Sequence, residues 1–247
     1  MANDFFQFKQ FTIHQQRCAM KVGTDGTLLG AWARCMPQSN SQAASVLDIG
    51  TGTGLIALMM AQRFPAARVV GIDIDGDAVE QAKENVYSSP FSDRISILEA
   101  DARTFLTSCQ STTNSDFSPF DSVVSNPPYF IDSLACPDHR RAMARHTESL
   151  SYKDLMTAAW HLLANHGEFS VIIPFDCKKR LEDEAFLTGF FKSRECAVKT
   201  TPNKQPRRFL MAFQKHSCQV EVEEGVIEIE PNVRSDWYKA LTNDFYL

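Results

Sequence analysis

From Ser45 onward the chain alternates short apolar runs with longer stretches of helical spacing, and this restricts the fold more than any other feature. Runs at 45–49, 68–73, 94–99, 120–125 and 168–173 have the β-branched, apolar character of buried strands. Between them, 55–64, 77–87, 102–107 (a short one), 153–165 and 178–189 are spaced as helices. Two closing strands are expected at 192–200 and 208–214, with a half-exposed edge strand at 220–229 and a terminal helix at 237–241. Strands that alternate with helices bury both faces of one sheet. The expected fold class is therefore α/β, with a doubly wound, seven-stranded, mainly parallel sheet.

With 247 residues there is room for one large domain and small additions. Residues 45–247 read as the core and 1–44 as an N-terminal extension packed on it. In the extension, Phe5, Phe8 (or Phe6) and Phe11 read as packing anchors, and Lys21 to Gly26 as a glycine-punctuated turn before a helix from Thr27. No apolar run approaches the roughly 18–20 residues of a membrane span. Met1-Ala2-Asn3-Asp4 places an acid where a secretion signal needs a base, so a cytoplasmic protein is expected. The seven cysteines are odd in number, scattered and free of Cys-x-x-Cys spacing, which argues against a disulfide framework or a zinc site.

Four motifs fall at successive strand ends. Asp48-Ile49-Gly50-Thr51-Gly52-Thr53-Gly54 leaves the first strand and opens a helix. Glycines let backbone approach a ligand closely, and ligands of open α/β sheets bind at carboxyl ends of strands. The spacing differs from that of dinucleotide loops, and the preceding acid would repel a pyrophosphate and attract an ammonium. Asp73, followed by Ile74, ends the next strand and suits ribose hydroxyls. Asp101 ends the third, beside Ala102, and suits an adenine amino group. Asn126-Pro127-Pro128-Tyr129 stops the fourth, because proline fixes φ and donates no hydrogen bond. A stiff acceptor next to an aromatic ring suits a planar amine. An amino acid joined to ribose and adenine would fill this row of sites, which is the chemistry of S-adenosylmethionine. The run Asp73-x-Asp75-Gly76-Asp77 resembles a calcium loop, but its glycine falls at the wrong position. Asp75 reads instead as a helix cap.

In order and spacing over about 20–215, these motifs resemble class I S-adenosylmethionine-dependent methyltransferases that act on amino groups, which have a Rossmann-like fold. The resemblance implies that the Asn126 oxygen and the Pro127 carbonyl accept the amine hydrogens while Tyr129 stacks on the base. Cofactor contacts would come from Asp48, Gly50, Gly52, Gly54, Asp73, Ile74, Asp101, Ala102 and Asn126, with Thr24. Lys21 and Asp25 either close over the cofactor's methionine end or shape a turn. No metal is implied.

The same motif serves protein glutamine, guanine and adenine. Only 47 residues precede Asp48, too few for the helical domain of release-factor glutamine methyltransferases. Arg17 to Trp32, with Leu150-Ser151 and Arg145-His146, resembles the bacterial family that N6-methylates the adenine just 3′ of the anticodon in valine tRNA. An unpaired loop base needs little unstacking. Candidate phosphate contacts are Lys9, Arg17, Arg140, Arg141, Arg145, Lys204, Arg207 and Arg208. Net charge is −5, yet Lys192 to Lys215 holds seven bases and one acid, while 219–232 holds five acids and no base. An acidic protein can present a basic face. The competing readings are a release-factor glutamine methyltransferase and a non-catalytic RNA-binding module.

Overall fold

The computed structural model describes residues 4–18, 20–37, 43–107, 118–128 and 150–247. The core follows the strand–helix alternation. Strands β3 (Ser45–Ile49), β4 (Arg68–Asp73) and β5 (Ile95–Glu99) are separated by α2 (Leu55–Arg63) and α3 (Gly76–Tyr87). Strand β6 (Phe120–Ser125) leads on to α4 (Tyr152–Leu162), β7 (Leu163–Pro174) and α5 (Lys178–Thr188). Then come β8 (Phe191–Lys199), β9 (Arg208–Gln214) and β10 (Glu221–Val226). One sheet takes them in the order β10-β8-β9-β7-β6-β3-β4-β5. The expected seven strands are present, and β10 adds an eighth at the edge, parallel to β8. Only β9 runs antiparallel to its neighbours.

Alternate residues of each strand enter opposite layers, as a period of two requires. Val46, Val69, Val124, Ile172 and Leu210 pack on one face with Leu28, Leu58 and Val79. Leu47, Ile72, Val123, Val171 and Met211 pack on the other with Leu155, Met156 and Leu181. Burial on both faces explains why these strands read as continuous apolar runs. Among the described residues, no helix is long and apolar enough to cross a membrane.

The N-terminal segment forms a hairpin, β1 (Phe5–Gln7) and β2 (Thr12–His14), then α1 (Thr24–Trp32). Phe8 and Phe11 are buried anchors; Phe8 stacks on Tyr246, and Phe6 packs against both Phe8 and Tyr246. Phe5 is exposed, so Phe6 takes the place given to it. α1 also starts three residues before the expected Thr27. Gly26 and Gly30 are not turn residues: a Cβ at Gly30 would lie 2.7 Å from Met59 Sδ, and one at Gly26 3.0 Å from Leu55. Their bareness lets α1 lie close against α2. The C-terminal segment forms a small hairpin, β11 (Glu228–Glu230) and β12 (Val233–Arg234), and α6 (Asp236–Thr242).

Part of the basic block at 192–215 is taken up by internal partners. Arg194 is buried against Glu168, Lys192 bonds Glu182 and Glu195, and Lys199 pairs with Glu224 of the neighbouring β10. Glu221 and Glu223 bond Arg34 and the Trp32 indole. The acidic strand thus fastens the sheet edge to the end of α1.

Candidate active site

Strand order reverses between β3 and β6, and at such a switch point the loops above the carboxyl ends part to leave a crevice. The glycine loop and Asn126 are the two sides of this crevice. Gly50 and Gly52 have φ of 71° and 54°, and among the described residues a Cβ on either would meet nothing within 4 Å. Gly54 shares the left-handed backbone, with φ of 80°, but its Cβ would also press on Ala82 of α3 at 3.3 Å, and it lines neither cavity.

Asp48 lies fully buried beneath the loop and is on neither cavity wall. Its Oδ2 accepts from the Thr51 hydroxyl at 2.7 Å and from the Ala57 N–H at 3.2 Å. Among the described residues its Oδ1 has no hydrogen-bond partner. Burial pushes the carboxyl from its ordinary 3.8 up to about 7, the Thr51 and Ala57 bonds pull it back, and the Asp73 charge adds to the rise. A buried acceptor left in this state is costly, and nearby positive charge would relieve it.

Asp73 is held by backbone, its Oδ2 accepting from Gly52 N–H at 2.8 Å and its Oδ1 from Asp75 N–H at 3.1 Å. Asp75 caps α3 by accepting from Asp77 N–H, as expected. Asp101 is not the bare acceptor expected for an adenine amine. Arg103 donates from Nε to both carboxylate oxygens at 2.9 Å and from Nη2 to Oδ2 at 2.5 Å. These bonds hold the Asp101 carboxyl below its usual range despite partial burial.

A cavity of about 250 Å³ joins Gly50, Gly52, Asp73, Ile74, Asp101, Ala102, Asn126 and Pro127. A second, of about 320 Å³, joins Lys21, Thr24 and Asp25 to the glycine loop, Asn126 and Arg208. Asn126, Gly50 and Gly52 line both. Arg103, Met20 and Leu150 also line the first cavity and were missed. Arg103 stands two residues after Asp101, and that short spacing from an acid was the available signal.

The basic candidates scatter. Lys9 donates to Asn243 O and lies beside Arg63 and Phe64, at the far end of α2, about 13 Å along the axis from the glycine loop. The hairpin folds away from the crevice, so sequence proximity to Arg17 misleads. Arg17 pairs with Glu84 at 2.9 Å. Arg208 ion-pairs with Asp25 across the second cavity and faces the ligand side. Lys204 and Arg207 are exposed. Tyr129, Arg140, Arg141, Arg145 and His146 lie outside the described residues.

Fold and crevice together define a class, the α/β methyltransferases, and residues 30–203 match the family described as Methyltransferase small domain. A solved structure of a predicted O-methyltransferase from Agrobacterium tumefaciens shares the fold with a TM-score of 0.68 at 19% identity, covering 90% of this chain and 96% of that one. Curated relatives are nearer in sequence. A tRNA1(Val) (adenine(37)-N6)-methyltransferase from Bacteroides thetaiotaomicron is 46% identical, and one from Phocaeicola vulgatus 47%, each over 100% of this chain and 99% of the relative. One from Histophilus somni is 42% identical over 98% of this chain and 97% of its own length. The chain belongs to this family of methyltransferases.

Proposed function

We propose that the protein transfers a methyl group from S-adenosylmethionine to the exocyclic N6 of an unpaired adenine, the one just 3′ of the anticodon in valine tRNA. The relatives' names supply the substrate. The observation that carries the chemistry is the place of Asn126, which lines both cavities and so stands at mid-crevice, between the adenine end and the methionine end of the row, where the sulfonium of the cofactor would lie.

The residues present fit this cofactor. Open space over Gly50 and Gly52 admits it, and the buried Asp48 with an unpartnered oxygen favours a ligand carrying positive charge. Asp73, oriented by two backbone N–H groups, keeps lone pairs for ribose hydroxyls. Ala102 and the Arg103-held Asp101 border the adenine end. When bound, S-adenosylmethionine supplies an electrophilic methyl on sulfur.

An exocyclic amine is a weak nucleophile because its lone pair is delocalised into the ring. The Asn126 oxygen and the Pro127 carbonyl accept its two hydrogens, turn the lone pair toward the methyl and stabilise the charge that grows on nitrogen. The proton leaves to solvent after transfer, when the nitrogen is strongly acidic. Tyr129 is assigned to stacking from its place in the motif. α1 closes the methionine end through the Asp25–Arg208 pair, which ties residues 1–44 to β9. Tritiated methyl transfer onto unmodified tRNA, a release factor and duplex DNA tests the reading. Label in tRNA alone is expected; label in protein alone would replace it with the glutamine reading, and failure to bind S-adenosylmethionine would leave a non-catalytic module.

A further inference from the structure

Phe175 follows the last residue of β7 and is 50% exposed, though large aromatic rings of this chain are mostly buried. It sits on the crevice side of the sheet. Parallel register places Val171 beside Ser125, so Phe175 stands three residues, roughly 10 Å, beyond the level of Asn126 on the neighbouring strand. The position is fixed. Its N–H donates to Arg207 O at 3.0 Å, and its ring rests on Phe209 at 5.9 Å between centroids. Lys178 Nζ lies 4.3 Å from the Phe209 ring centre on the same patch. Arg207 and Lys204 are exposed and have no ion pair among the described residues. They are the bases of the 192–215 block whose charge internal partners do not take up. One open aromatic face on a residue bonded to the backbone of Arg207, with Lys204 three residues earlier in the same turn and outboard of the proposed catalytic turn, has the chemistry of a single-strand nucleic-acid platform.

We propose that Phe175 stacks on an unpaired nucleobase flanking the target adenine, with Arg207 and Lys204 holding the adjoining phosphates. The proposal rests on the reading of the protein as an RNA methyltransferase, and deepens it. Stacking of one base on an aromatic ring sets the size of the effect. Phe175→Ala should raise KM for an anticodon stem-loop about tenfold, with kcat nearly kept and S-adenosylhomocysteine affinity unchanged. Phe175→Leu keeps apolar bulk against Phe209 but has no π face; it should behave like the alanine variant, and Phe175→Trp like the native chain. With 2-aminopurine placed on either side of the target in turn, one position should be quenched on binding the native protein and not on binding Phe175→Leu. The double variant Lys204→Gln/Arg207→Gln should lower the slope of log KM against log salt by about 1.4, about 0.7 for each lost phosphate. Native KM and quenching in both ring-less variants, or a change only in self-association, would overturn the platform and leave the enzyme reading intact. A native chain that methylates no stem-loop would overturn the enzyme reading, and the platform with it.

Discussion

Cofactor affinity should rise with pH through the acid side of neutrality, and Asp48 is the reason. Its carboxyl is raised to about 7 in the free protein, so below neutrality it is protonated. The glycine loop lies between Asp48 and the cavity, and a ligand ammonium across it would act on the carboxylate at a separation on the order of 6 Å. At an effective dielectric near 20 that pair attracts by about 2.8 kcal/mol, or about two pKa units. Binding of a ligand ammonium would then lower the carboxyl from its raised value and release a proton on the acid side of neutrality. The ligand's own amine, with a pKa near 8, limits the gain on the alkaline side. Together these make affinity for S-adenosylhomocysteine about tenfold tighter at pH 7.4 than at pH 5.5. Calorimetry at several pH values, in buffers of different ionisation enthalpy, reads both the affinity and the proton released. Asp48→Asn should bind more weakly at pH 7.4 and lose the slope. The sign for stability is opposite. The folded free chain keeps a proton that the unfolded chain loses near 3.8, so its stability falls as pH rises from about 4 to 7. An affinity flat from pH 5.5 to 7.4, or an Asp48→Asn variant with the native slope, would refute the coupling.

Further expectations concern the catalytic turn, the loop and the core. Asn126→Ala should lower the rate of methyl transfer about 100-fold or more while S-adenosylhomocysteine affinity stays within about twofold, read by single-turnover kinetics and calorimetry. Gly52→Ala places a methyl group in open cavity at a φ of 54°. It should cost about 1–2 kcal/mol of stability in urea unfolding, yet weaken cofactor binding about tenfold or more. Arg194 is 4% exposed, bonds the 1%-exposed Glu168 at 2.5 Å and lies 3.7 Å from the Trp32 ring centre. Arg194→Met leaves a buried carboxylate unpaired and should cost about 3–5 kcal/mol, most of it recovered when Glu168→Leu is added.

Strands buried on both faces were legible nearly to the residue, since nothing but length and flanking breakers sets their limits. β3, β4, β6 and β9 begin and end where the apolar runs do. β7 was read from Glu168 but starts at Leu163, directly where α4 stops, because Asn165 to Gly167 are polar residues within a long strand. The crevice was legible because its residues come at successive strand ends, and the fold gathers strand ends. Charge was not, because the partners of Arg194, Lys199 and Arg208 lie on other elements, and pairing depends on which strands become neighbours. Glycine had two meanings in one sequence: Gly50 and Gly52 open a cavity, while Gly26 and Gly30 let two helices touch. Sequence spacing does not separate these uses.

The central claim is that a purine's exocyclic amine is presented at Asn126 by an RNA loop. Its most direct test is nucleoside mass spectrometry of unmodified valine tRNA after incubation with the protein and S-adenosylmethionine. One 6-methyladenosine should appear, at the adenine just 3′ of the anticodon. A tRNA carrying purine there, with hydrogen in place of the amine, should take up no methyl. A methyl group on a ring nitrogen or a ribose, or continued methylation of the tRNA without the amine, would contradict the account.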